Sequence, residues 1–276
     1  MKKFSFLTAL AAVALSLVSC GTKKEEPKAL VLYYSQTSNT RIVAQEFATR
    51  LGADVEEIVA AQPYDGDFQG TIARCIQERE QGIKPAINQL KSDLADYDVI
   101  FLGYPIWFGT YAPPVAALLD SVDLSGKRVV PFCTFGSGGL ESSVKDLAAR
   151  QPKAEILDGY GVRAARLSAV PKEVGRFLQS SGFIAGDYVK PEPFGEAHDV
   201  TDEESALFDA AVANYPMIHA KAQSVASRIV ADGVEHLFTA VDLPREGADT
   251  TATLNQMQVY VLVADGAAPV FTRVVR

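Results

Sequence analysis

The chain is sparing with the residues that usually announce metal, disulfide or nucleotide chemistry. It has three cysteines, three histidines and one tryptophan in 276 residues. There is no C-x-x-C, and His198, His219 and His236 show no metal-ligand spacing, so no metal site is indicated and the histidines read as surface residues. The G-x-x-x-x-G-K-[ST] loop of triphosphate-binding enzymes is missing, as is the G-x-G-x-x-G turn of dinucleotide folds. Basic residues are outnumbered, 26 Lys and Arg against 34 Asp and Glu, for a net charge of −8. That balance disfavours nucleic-acid partners. It suits docking with basic partners, and it also serves solubility. The one long apolar run, Phe4 to Val18 at about fifteen residues, is short for a membrane-spanning helix.

That run follows Lys2 and Lys3 and closes on Leu17-Val18-Ser19-Cys20 before Gly21. The pattern resembles the lipobox of bacterial lipoproteins. The resemblance implies that residues 1–20 are a signal peptide, that Cys20 becomes the lipid-bearing N-terminus, and that 21–28 is a solvated tether; an ordinary secretory signal or an uncleaved anchor is the alternative. A lipoprotein would sit in the bacterial cell envelope, on the periplasmic face or outer surface, with the membrane as a partner through its lipid. Loss of Lys2 and Lys3 leaves 24 basic against 34 acidic residues. Cys75 and Cys133 remain, one in a predicted helix and one in a predicted strand, and are expected as two separate buried thiols.

Three apolar strands end in loops suited to a ligand. Val31, Leu32, Tyr33 and Tyr34 read as a strand buried on both faces, and from Arg41 the spacing turns helical, with Ile42, Val43 and Phe47 on one side. Between them lie Ser35, Gln36, Thr37, Ser38, Asn39 and Thr40. Hydroxyls and the free N–H groups of a helix start can surround a phosphate without a lysine, because the helix terminus carries about half a positive charge. The second run, Asp98 to Gly109, ends in Tyr104, Pro105, Ile106, Trp107 and Phe108. Its Gly-Tyr-Pro break predicts a loop, and an aromatic face there can stack on a flat, electron-poor ring for roughly 1 kcal/mol beyond burial. The third, Arg128 to Leu140, ends in Thr134, Phe135, Gly136, Ser137, Gly138 and Gly139, where missing side chains let backbone approach a flat ligand.

S-x-T-x-N-T after a first strand, Y-P-I-W after a third and the glycine-rich turn after a fourth together resemble the flavodoxin family over residues 29–183. The family's fourth phosphate-loop residue is Gly, and Ser38 stands there. The resemblance implies an α/β fold, a doubly wound five-stranded parallel sheet of order 2-1-3-4-5, and FMN as cofactor. The phosphate would lie on Ser35 to Thr40 and the ring between Pro105 to Phe108 and Thr134 to Gly138. Ligands of such sheets bind outside the carboxyl ends of the strands, at the point where strand order reverses. The remaining elements agree: a strand at Asp54 to Val59, a helical region ending near Tyr97, helices at 112–119, about 141–150 and 171–180, and a fifth strand at 155–160.

A flavodoxin needs only about 150 residues, so a second unit is expected. After a Pro-containing linker at 190–195, residues 196–276 read as a helix at 202–215, with Thr201 as N-cap, followed by four alternating segments of an antiparallel sheet. One helix and four strands make a small α+β domain similar to the cystatin-like fold. Ser227 to Asp232 echoes the cystatin Q-x-V-x-G hairpin but lacks its Gln and Gly. The expectation is an FMN-binding electron carrier or flavin-dependent reductase with no catalytic side chain of its own, working with a redox protein or a quinone. The alternative is a lipid-anchored binding protein that keeps the fold and has lost FMN.

Overall fold

The computed structural model describes residues 27–64, 66–244 and 255–276. The expected signal peptide, Cys20 and most of the expected tether lie outside them.

Strand β1 (Ala29–Tyr33) is the centre of a parallel sheet, paired with β2 (Asp54–Glu57) on one side and β3 (Val99–Trp107) on the other. Its side chains alternate. Leu30 and Leu32 enter one apolar cluster with Ile100, Leu102 and Val129, while Val31 and Tyr33 enter another with Val99, Phe101, Val130 and Phe132. Both faces are therefore covered, which explains the unbroken apolar runs. Helices α1 (Asn39–Leu51) and, later in the chain, α5 (Val170–Ser180) supply Val43, Phe47, Val174 and Leu178 to the second cluster. Helices α2 (Phe68–Glu80), α3 (Pro113–Ser121) and α4 (Leu140–Arg150) cover the first. The sheet continues through β5 (Arg128–Phe135) to two short pieces, β6 (Glu155–Ile156) and β7 (Tyr160–Arg163). Counted without the hairpin strand β4 (Thr110–Tyr111) on β3, this is the 2-1-3-4-5 order.

Four expectations about the elements need correction. The helical region ends at Glu80, not near Tyr97, because Gly82 turns left-handed (φ 63°) and Pro85 follows; Ala61 and Asn88 then hydrogen-bond this segment to the end of β2. The fifth strand is split opposite Pro131, which has no N–H for the ladder; register runs Val129 to Ile156 and resumes at Phe132 to Tyr160. Tyr104 to Trp107 are strand rather than loop, and the reversal falls at Phe108 and Gly109, both at positive φ (52° and 85°), in a two-residue hairpin turn. Helix α6 (Asp202–Val212) stops short of Tyr215.

Thr201 and Glu204 form a reciprocal capping box at the start of α6. The helix lays Phe208 on an antiparallel sheet of β8 (His198–Asp199), β9 (Ala220–Val230), β10 (Gly233–Asp242), β11 (Gln256–Val263) and β12 (Val270–Val275), against Phe238, Val259 and Phe271. His236 is half-buried in β10 beside the Ser227 hydroxyl at 2.8 Å, so it is not a surface residue, and burial lowers its pKa. The segment echoing the cystatin hairpin is not free either: its Asp232 pairs with Lys172 and Arg176 of α5. Cys75 and Cys133 are buried and unpaired. Burial lifts the first thiol to about 11 and the second well above its ordinary value.

Candidate functional site

The carboxyl ends of β1, β3 and β5 meet at one edge of the sheet. From β1 the chain leaves through Tyr34 into Ser35 and turns at Ser38, which is left-handed (φ 66°), before α1 begins. A serine takes the backbone shape that the family's glycine takes freely, at roughly 1–2 kcal/mol of strain. No side chain caps α1, and the N–H groups of Asn39 and Thr40 find no acceptor among the described residues. The Ser35 hydroxyl accepts from the Arg41 N–H at 3.3 Å, and Thr37 and Ser38 are exposed. Gln36 turns away from the helix start: its amide donates to the Tyr64 carbonyl at 2.8 Å and the Thr71 hydroxyl at 2.9 Å.

Thr40 is buried and its hydroxyl lies 2.9 Å from that of Thr134 at the end of β5. One hydroxyl of such a pair donates to the other, and the accepting hydroxyl keeps its own hydrogen available. Thr134 in turn sits opposite Pro105 in the β3–β5 register. Ile106 closes on the third loop, since a Cβ on Gly139 would lie 2.6 Å from its Cγ2. Trp107 is half-buried and edge-on to Tyr34 and Tyr64, with ring centroids 5.9 and 5.2 Å apart. Tyr64 is fixed by the buried Glu78 carboxylate at 2.5 Å and by Arg74 over its ring. Burial first, then Glu78, raises the Tyr64 pKa, so the phenol stays protonated and donates.

Most of the expected residues are thus brought together, but not all as ligand contacts. Phe108 is exposed at the hairpin tip, 5.4 Å below Arg79. Phe135 is buried in the core, leaving only its backbone at the edge. Gly138 makes room for protein: a Cβ there would stand 2.1 Å from the carbonyl oxygen of Val274. Tyr34 and Tyr64, which wall in Trp107, carry no motif of their own; an aromatic closing the first strand was the one available sign.

The donor set fits a phosphate ester: an uncapped helix start with the Asn39 and Thr40 N–H groups without acceptors among the described residues, a left-handed residue ahead of it, and the exposed hydroxyls of Thr37 and Ser38. Beside it, Pro105, Ile106 and Trp107 give a half-exposed apolar wall fit for a flat ring. This arrangement defines a doubly wound α/β protein whose strand ends meet at its switch point. The family model described as flavodoxin matches residues 28–170, and the chain belongs to the flavodoxin family. No curated protein matches it. Among solved structures it is similar to a flavoprotein of Bacteroides eggerthii DSM 20697 (29% identity over 54% of this chain and 99% of that one, TM-score 0.46). A flavoprotein of Bacteroides uniformis ATCC 8492 shows 28% identity over 54% and 98%, TM-score 0.49. A flavoprotein of Lactobacillus acidophilus NCFM in complex with FMN shows 25% identity over 53% and 98%, TM-score 0.45.

Proposed function

We propose that this protein binds FMN and carries electrons in the bacterial cell envelope, held to the membrane by a lipid on Cys20, between a donor and an acceptor that is a redox protein or a quinone. The observation that carries the reading is the meeting of three strand ends around the uncapped start of α1, joined by the Thr40–Thr134 hydroxyl pair and the Ile106–Gly139 contact. Ser35, Thr37, Ser38, Asn39 and Thr40 hold the phosphate with the first-turn N–H groups. Pro105, Ile106 and Trp107 form one wall for the ring, and the backbone from Thr134 to Gly138 forms the other.

Bound FMN supplies one- or two-electron transfer, and the chain supplies binding, orientation and exclusion of water. Trp107 is held in place for this by Tyr34 and Tyr64, and no side chain is needed as acid or base. The test is the absorption spectrum of the lipid-free chain beginning at Gly21, after incubation with FMN and desalting. Flavin bands retained by the wild type and lost in Thr40→Ala support the reading. A wild type that retains none leaves a lipid-anchored binding protein without flavin. Radiolabelled palmitate incorporated into the wild type but not into Cys20→Ser checks the anchor.

A further inference from the structure

The loop after β5 cannot hold its own shape. Gly136, Ser137, Gly138 and Gly139 carry almost no side chain with which to pack, and glycine loses more backbone freedom on ordering than any other residue. What fixes the loop comes largely from the other end of the chain. The Val274 N–H of β12 donates to the Ser137 carbonyl at 2.8 Å. Arg163, at the end of β7, donates from Nε to the Gly136 carbonyl at 2.9 Å and from Nη1 to the Phe271 carbonyl of β12 at 2.9 Å. Its guanidinium also lies over the rings of Phe271 and Tyr215, at 4.3 and 4.9 Å.

One planar fork therefore ties the loop to the C-terminal unit, using carbonyls and aromatic faces where an arginine more often uses a carboxylate. Burial draws its pKa below the ordinary value. The rest of the junction is polar: Asp232 pairs with Arg176 and Lys172, and a cavity of about 320 Å³ separates Phe135 and Gly161 from Arg228 and Thr272. Such a seam is held by directional bonds rather than by a shared apolar core, so it can open without unfolding either unit.

We propose that the C-terminal unit is the clamp of the ring-binding loop, with Arg163 as the positioning residue, so that docking of β12 and occupancy of the flavin site are coupled. This rests on the flavin reading of the loop. Flavin binds the clamped loop without paying to order it, and by linkage bound flavin holds β12 down by the same factor.

The experiment keeps both units present and compares the wild type with Arg163→Ala, Arg163→Lys and Val274→Pro, each checked for native circular dichroism. Hydrogen exchange without flavin is expected to quicken about tenfold or more at residues 137–139 in all three variants, while β1 and α1 stay as in the wild type. Lysine is expected to fall short of rescue because its compact ammonium lacks the planar fork that also lies on the rings of Phe271 and Tyr215. In a fluorescence titration the FMN dissociation constant rises about tenfold, within the 5–150-fold range of ordinary coupling, and FMN slows exchange at 270–275 in the wild type. Unchanged loop exchange in both Arg163→Ala and Val274→Pro, or FMN affinities within about twofold of the wild type, overturns the clamp. A wild type that binds no FMN sinks the flavin reading and the coupling with it, and the loop exchange alone then decides whether the C-terminal unit orders the loop.

Discussion

The two loops that flank the candidate site are secured in opposite ways. The loop before α1 is fixed by its own framework: Arg41 to Ser35, Gln36 to Tyr64 and Thr71, Thr40 to Thr134, all within the stretch that matches the flavodoxin family. The loop after β5 draws in addition on residues outside that stretch: the Val274 N–H bonds the Ser137 carbonyl, and Arg163, itself within the stretch, bonds the carbonyls of both Gly136 and Phe271. The phosphate end of the site is thus self-sufficient, and the ring end depends on an appended unit. A family fold can keep its anchoring chemistry constant while handing control of the adjustable part to a neighbour.

The sharpest way to break this contrast is Gly138→Val. A Cβ there meets the Val274 carbonyl at 2.1 Å, backbone against side chain with no flexible group to yield, and overpacking of this kind costs about 1–3 kcal/mol. Urea denaturation should show that loss, together with rapid exchange along β12 and unchanged protection in α1; a wild-type curve would mean that the seam bears no load. Thr40→Val is the counterpart on the other side. It strips the buried Thr134 hydroxyl of its partner for roughly 1–2 kcal/mol and should leave exchange at 270–275 untouched.

A smaller change in the opposite direction is Ser38→Gly, which removes the left-handed strain at φ 66°. It should stabilise the chain by about 0.5–1 kcal/mol, the glycine's extra freedom in the unfolded chain offsetting part of the gain, and a thermal melt reads it directly. Smallest is an effect of acid. Arg176 first, with Lys172, holds the Asp232 carboxyl below its ordinary value against the opposing pull of burial. Because the folded pKa is the lower one, the contribution is complete above the unfolded value of about 3.9 and disappears as pH falls through the folded pKa. Protection at 137–139, taken relative to the intrinsic exchange rate at each pH, should therefore fall between pH 5 and 3 by an amount worth roughly 0.2–1 kcal/mol, and Asp232→Asn should flatten that profile.

Legibility in the sequence followed the range of the interactions. The strands and the turns that follow them could be read because their signals are local: apolar runs of strand length, hydroxyls between a strand and a helix, glycine-rich turns; the order of the strands came with the family resemblance. Ser38, standing where the family has Gly, holds the left-handed turn itself. Pro105 misled, because proline usually ends a strand; here β3 runs on through Trp107 and returns by a tight hairpin. Gly138 was legible as a close approach but not its object, since nothing near residue 138 in sequence points to residue 274. Arg163 left no trace at all: an arginine closing a short strand is ordinary until the chain brings Phe271 and Tyr215 beside it.

The connection between the two units, residues 181–197, runs from α5 to β8 and carries Pro191 and Pro193, with Phe194 laid on Tyr260 and the Gly195 N–H bonded to the Ser227 carbonyl. Part of that leash is stitched to the unit it carries, and its first residues, Phe183 and Ile184, pack on the other unit. A released C-terminal unit would stay within a short radius of its seat, at an effective concentration in the millimolar range for so short a tether. Contacts too few to bind a separate protein can then keep the lid shut most of the time, and a modest push, from a ligand beneath it or a partner above it, is enough to tip the balance.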